Sequence, residues 1–267
     1  MRDEIRRRPW LYLGALVIAV WMAAPPLVAL PMSLSGERSL TFPPHGYSLR
    51  WYGEFFGNPV WLNALLSSLS IAVQVMVLSV VVGTLASFAV VRGRFRGRGL
   101  LELVGIAPLV VPVVVLGIGV YSVFLKWGLV GTAPGFVFAH CVLAVPYVVI
   151  TVSSSLRTMD DQLERAAQVL GAPPHRVFRR VTLPLIAPGM FAGGLFAFVA
   201  SFDEVVLSLF IASPRLRTLP VQMYSSVTRD IDPTMAAAST VILVVSTGLI
   251  LLGTRFLFSS TAEGRSQ

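Results

Sequence analysis

Few side chains in this sequence stand where they could perform covalent chemistry. The three histidines, His45, His140 and His175, lie far apart, and neither a His-Glu-x-x-His nor a Cys-x-x-Cys spacing occurs. No metal site is expected, and metal-assisted hydrolysis has no ligand set. Lys126 is the only lysine and no P-loop precedes it, so the chain has no Walker A site for ATP. No serine carries the flanking residues of a nucleophile elbow. The expected catalytic residues are therefore none. Two features remain: a carboxylate pair, Asp203 and Glu204, near the middle of an apolar run, and a polar segment from Leu156 to Pro188 punctuated by helix starts and stops.

A carboxylate inside a bilayer costs about 2.5–3.5 kcal/mol on insertion scales, so the pair should face the bundle interior, water or a partner. Neighbours on one helix point about 100° apart. At most one of the two is expected in a central cavity, with the other bonding a neighbouring helix. Asp203 and Glu204 are thus candidates for a solute pathway, and they suit a cationic solute. On the same run Gly189, Gly193, Ala197 and Ser201 recur every four residues, a spacing that permits close helix packing or lines a pathway. His140 reads as a satisfied, helix-packing histidine in preference to a proton relay, and Cys141 as a small buried hydrophobe.

The elements that would carry these residues follow from composition. Of 267 residues, 55% are hydrophobic and only 13% charged, against roughly 25% charged in soluble domains. Most of the surface must face hydrocarbon. Six apolar runs approach the ~20 residues a helix needs to cross a bilayer: Trp10 to Met32, Ala64 to Val91, Leu103 to Leu125, Gly135 to Val152, Pro188 to Ala212 and Met235 to Phe258. The first exceeds the 7–15 residues typical of a signal-peptide core and is expected to be a retained membrane helix. Pro108 and Pro112 should kink the third.

The net charge of +8 could suggest nucleic acid, but the arginines sit between apolar runs. Fifteen of the 21 Lys and Arg fall at the N-terminus, in the second-to-third and fourth-to-fifth loops and in the tail, and six on the opposite side. That bias predicts cytoplasmic termini. The expected architecture is an all-α membrane protein of six transmembrane helices: residues 1–63 form the first helix and an extracytoplasmic loop, 64–258 the core, and 259–267 a cytoplasmic tail.

In the fourth-to-fifth loop, residues 157–187, Asp160 or Asp161 can cap a short helix whose acidic first turn suits the dipole. Leu163, Ala166, Ala167 and Leu170 fall on one apolar face. Gly171 stands at a left-handed stop, Pro173 or Pro174 can open a second short helix, and Leu183-Pro184 should end it. An apolar face on the water side wants a partner protein.

Ala166-Ala167, Gly171 and Val181-x-Leu183-Pro184 resemble the EAA loop of ABC importer permeases, with Arg165 at the usual Glu position and Glu164 one residue earlier. Ser67-Ser68-Leu69-Ser70, Arg92-Gly93-Arg94-Phe95-Arg96-Gly97-Arg98, Ala139-His140 and Pro146-Tyr147 resemble the type I permease fold. Ser201-Phe202-Asp203-Glu204 with Thr218-Leu219-Pro220 is similar to the polyamine, opine and phosphonate branch, notably the second permease of spermidine/putrescine systems.

The resemblance implies a multi-pass permease of the bacterial inner (plasma) membrane. Its partners would be membrane lipid, a second permease forming a heterodimer or, as the alternative, a homodimer, a dimer of cytoplasmic ABC ATPases, and an extracytoplasmic solute-binding protein. Nucleic acid is not among them, and the only cofactor, ATP, would be bound by the ATPase. Glu164, Arg165, Ala166, Ala167, Leu170, Gly171, Leu183 and Pro184 would form the ATPase-coupling loop. A polyamine is the expected solute, with an opine, an aminophosphonate or iron as alternatives. A secondary transporter acting alone is disfavoured because no inverted repeat relates the two halves. A membrane enzyme or assembly factor lacks a catalytic constellation.

Overall fold

The computed structural model describes residues 9–38, 42–229 and 233–263. The expected N-terminal arginines (Arg2, Arg6, Arg7, Arg8) and Arg265 lie outside them. Apart from one isolated bridge between Ser35 and Tyr47, all regular structure among the described residues is helical. The chain divides into two compact units, one of residues 1–62 with 225–245 and one of 63–224 with 246–267.

In the first unit, α1 (Pro9–Ser33) is followed by a short loop and α2 (Arg50–Gly57). The loop is tied by side chains: the Trp51 indole N–H donates to the Ser35 carbonyl at 2.7 Å, and Ser33 Oγ lies 2.7 Å from the Tyr52 hydroxyl. Trp51 and Phe55 are the buried residues of α2, and Phe55 is stacked at a tilt on Trp61. The hydropathy runs gave no sign of α2, because it is too short and too polar to span anything.

The second unit is organised around one helix. α3 (Pro59–Arg92) enters it, followed by α4 (Arg98–Ile106), α5 (Val113–Trp127) and α6 (Ala133–Thr158). Two short helices, α7 (Asp161–Val169) and α8 (Pro174–Val177), lead through a π-turn at Phe178–Thr182 into α9 (Leu183–Phe202). The six-residue α10 (Val206–Ile211) and the start of α11 (Leu219–Arg229) belong to this unit; residues 225–245, including the first part of α12 (Thr234–Glu263), belong to the first unit, and α12 is part of the second from residue 246. The core centres on α6, whose Phe136, Ala144, Val148 and Val152 are wholly buried with Val75 of α3 and Ile186 of α9.

Close approach explains why α6 is central. A Cβ added to Gly189 would lie 2.9 Å from the Thr151 carbonyl, and one on Gly193 2.8 Å from Val148 Cα. The four-residue stripe Gly189, Gly193, Ala197, Ser201 is therefore the seam between α9 and α6, in keeping with the packing reading. Cys141 is buried in the same core, 3.7 Å from Ser79 Oγ. The outward faces stay apolar, with Leu85, Leu103, Val114 and Leu125 exposed, as lipid contact requires.

Among the described residues, four helices are long and apolar enough to cross a membrane, or up to six if each of two bent pairs is one span. One pair corrects an expectation. The third run is no kinked rod: Arg98–Leu109 and Val113–Trp127 meet at 104°. Pro108 and Pro112 remove two amide donors within five residues and disfavour helix in the residues before them, so the axis turns. The fifth run is corrected at both ends. Helix runs unbroken from Pro174 to Phe202, so Leu183-Pro184 does not end α8, and the run breaks at 203–205. At the π-turn the Leu183 N–H bonds to the Phe178 carbonyl five residues back, and Pro184 falls in the first turn of α9, where a missing donor is tolerated.

Candidate functional site

Two places in the second unit hold functional groups, and the first is the hairpin of α7 and α8. Its local design matches its sequence. Asp160 caps α7, accepting the Gln162 N–H at 2.9 Å, with Asp161 and Glu164 in the first turn. Gly171 takes φ +82°, the left-handed stop that costs other residues about 1–2 kcal/mol. The Ala172 N–H closes the turn on the Ala167 carbonyl at 3.0 Å, and Pro173 and Pro174 start α8.

What holds the hairpin against the unit is a carboxylate. Glu164 receives both of its oxygens' contacts from Arg92 Nη1, at 2.8 and 2.7 Å, and also accepts the Thr182 hydroxyl of the π-turn. Arg92 is in turn seated over the Phe88 ring. Burial pushes the Glu164 carboxyl upward, but the Thr182 hydroxyl and the Arg92 guanidinium outweigh it and hold the group below the usual glutamate range. The end of α3, α7 and the start of α9 thus meet on one side chain. Arg165, at the usual Glu position, is exposed; Glu164 supplies the anchoring carboxylate.

The apolar residues of α7 face the other way. No residue of α7 is buried. Leu163 is 48% exposed, Val169 86% and Leu170 87%; Ala166 is exposed, and only Ala167 turns partly inward. Leu183 is half-buried and Pro184 exposed at the base of α9.

The second place is the break between α9 and α10. Asp203 and Glu204 do not share a helix, as the 100° argument assumed; they form the junction. The Glu204 carboxylate accepts the Leu207 N–H at 2.8 Å, satisfying a donor that the interrupted helix leaves free. Asp203 is exposed. Both line a cleft of about 430 Å³ with Pro108 and Val111 from the turn before α5, and with Leu143 and Tyr147 of α6. The two interrupted stretches of the unit therefore border the same cleft. Inside a membrane, irregular backbone is tolerated only where it is buried in protein or lines a cavity.

His140 stands behind this break. It is 1% exposed, and its Nδ1 lies 2.8 Å from Ser201 Oγ while Nε2 lies 2.9 Å from Ser208 Oγ. This satisfied histidine agrees with the sequence reading. Two contacts were missed by it: Arg92, whose place in a basic loop gave no hint of Glu164, and Ser68, whose hydroxyl accepts the Leu219 N–H at 2.7 Å. The Ser67-Ser68 and Thr218-Leu219-Pro220 motifs thus meet in space. Among the described residues no group of three or more His, Cys, Asp or Glu could hold a metal ion.

Comparison with known proteins agrees with these features. Residues 79–259 match the family model described as binding-protein-dependent transport system inner membrane component. The chain is 34% identical over 244 residues to the putrescine transport system permease protein PotI of Escherichia coli (strain K12), covering 89% of this chain and 86% of that protein. It is 30% identical to the spermidine/putrescine transport system permease protein PotC of Haemophilus influenzae, covering 88% and 91%. It is 32% identical to the molybdenum transport system permease protein ModB of Mycobacterium bovis, covering 91% and 92%. Among solved structures, a bacterial alginate ABC transporter in complex with an alginate pentasaccharide-bound periplasmic protein superimposes with a TM-score of 0.71 at 16% identity, covering 95% of each chain. This chain belongs to the family of binding-protein-dependent transport system inner membrane components: it is a permease subunit of an ATP-binding cassette importer with the type I fold, a multi-pass protein of the inner membrane.

Proposed function

We propose that this permease carries a small cationic amine of the polyamine class and takes its driving force from a separate ATPase that docks on the hairpin. In this reading residues 64–258 are the core, six spans cross the membrane, and residues 157–187 and both termini lie in the cytoplasm. A second permease pairs with the chain as a heterodimer, and an extracytoplasmic binding protein delivers the solute. ATP is bound by the ATPase alone.

The observation that carries the proposal is the inverted polarity of α7. The Glu164 carboxylate points inward to Arg92 and Thr182 while Leu163, Val169 and Leu170 face outward. A solvated connector would do the reverse, since exposing apolar area costs about 25 cal/mol per Å². Such a face suits a groove on a partner protein. In the complete complex, Leu170→Asp should release the ATPase and abolish uptake while membrane insertion persists. Full retention of the ATPase with normal uptake would sink the docking assignment.

For the solute, support comes from the putrescine and spermidine/putrescine relatives and from the cleft. Asp203 and Glu204 attract cations, and the Tyr147 ring beside them can add a cation–π contact of about 0.5–2 kcal/mol. The similarity to a molybdenum permease favours an oxyanion as a second reading, which two carboxylates oppose. ATP hydrolysis by the reconstituted complex with its binding protein should rise with putrescine and stay flat with molybdate. The opposite result would replace the cargo and leave the permease reading untouched.

A further inference from the structure

A helix that stops inside an apolar run and restarts three residues later has ends that must be held. Glu204 holds one donor at the start of α10. A buried imidazole supplies a side-chain tie that reaches both sides of the break. His140 comes from α6, and its two ring nitrogens reach the last turn of α9 through Ser201 and the first turn of α10 through Ser208. Both serines are buried. The Phe136 ring meets the imidazole at 70° with centroids 5.9 Å apart, fixing its plane. Asp203 stands between the two tied turns.

We infer that His140 is a positioning residue for Asp203: by bridging Ser201 and Ser208 across the break, it sets the angle at which the junction offers its carboxylate to the cleft. A neutral imidazole has one donor and one acceptor nitrogen, so one serine accepts from the ring and the other donates to it. The bridge is saturated, and no third partner is needed. A packing residue would need only the volume of the ring. The bridge needs its two polar ends, Ser201 and Ser208, seven residues apart across the break. That difference separates the two roles in an experiment. The inference rests on the reading of the cleft as part of the solute path.

The test uses the complete transporter with Asp203→Cys as a reporter and a small water-soluble methanethiosulfonate as the probe. Cys141 is the only native cysteine of this chain and is buried, so labelling of the chain reads position 203. Arg96→Cys, in the exposed loop before α4, serves as the control. The double variant Ser201→Ala/Ser208→Ala keeps the imidazole and its packing and removes both ties. It should change the labelling rate at 203 by at least about tenfold, the factor equivalent to a net loss of one of the two buried hydrogen bonds. The control rate should stay the same. His140→Leu should give the same change, and adding it to the double variant should give no more. An unchanged rate at 203, or an equal change at 203 and 96, overturns the inference.

With Asp203 restored, the serine double variant should raise KM for putrescine and spare the maximal rate of ATP hydrolysis. If labelling at 203 shifts while KM does not, the positioning role stands and the cleft is not the solute path.

Discussion

The hairpin and the break are built with opposite polarity. At the hairpin, one carboxylate faces inward, where Glu164 meets Arg92 and Thr182, and the apolar Leu163, Val169 and Leu170 face outward. At the break, the inward contacts are neutral, His140 with two serines, and a carboxylate is left exposed. Each region shows the side chains that suit what it meets, and each keeps the complementary type for holding itself together. The ion pair at the hairpin is partly exposed, and a half-buried pair keeps part of its solvation. A similar pair buried as deeply as His140 would meet the full cost of desolvation, and neutral hydrogen bonds avoid it.

The comparison can be broken in three places, from the largest effect to the smallest. Gly171→Val should do most, because a β-branched residue at φ +82° is strained by ~1–2 kcal/mol or more, and the strain falls on the turn that aims α7. Uptake should drop at least roughly tenfold while ATP hydrolysis by the assembled complex continues; normal uptake with the ATPase bound would refute the coupling role of the turn. At the break, the two carboxylates should separate. Asp203→Asn should raise KM for putrescine by about tenfold with little change in thermal stability, as expected for one charge-assisted contact. Glu204→Gln should lower thermal stability more than it raises KM. Equal effects of the two on stability would make both of them packing groups.

The smallest effect concerns pH. The Glu164 carboxyl is held below its ordinary value of 4.5, so its stabilisation is present above that value and is lost as pH falls through the folded one. Hydrogen exchange across residues 161–170, corrected for intrinsic rates, should show protection at pH 7 that declines below about pH 4.5. Glu164→Gln should remove that decline. A variant that loses protection along the same curve as the parent protein would clear Glu164 of the role.

How much could be read from the chain depends on how far apart the partners lie. The Asp160 cap, the Gly171 stop and the Pro173-Pro174 restart are contacts within a few residues, and each has a residue type that only that local geometry favours. The membrane runs were legible for the same reason, since a window of ~20 residues averages apolar content. That window cannot see whether an axis is continuous. The 104° turn before α5 and the break at 203–205 lie inside runs whose average stays apolar, even with Asp203 and Glu204 at the second. The ties that make them usable come from distant positions: His140 is 61 and 68 residues from its serines, and Arg92 is 72 residues from Glu164. Pro184 misled because a proline marks a helix stop only while the hydrogen-bond ladder keeps its usual step, and here the π-turn shifts it.

That shift has a consequence for how length is tolerated. A π-turn is one residue inserted into an α-helix, and each residue advances the helix by about 100°. The hairpin is therefore out of phase with α9 by roughly a quarter turn relative to an uninterrupted helix. Removing one residue between 178 and 182 would swing α7 around the axis of α9 and leave the membrane-facing pattern of α9 as it is. Natural or engineered changes in loop length here act as a rotation, and a helix of unchanged composition could present its docking face to the wrong quadrant.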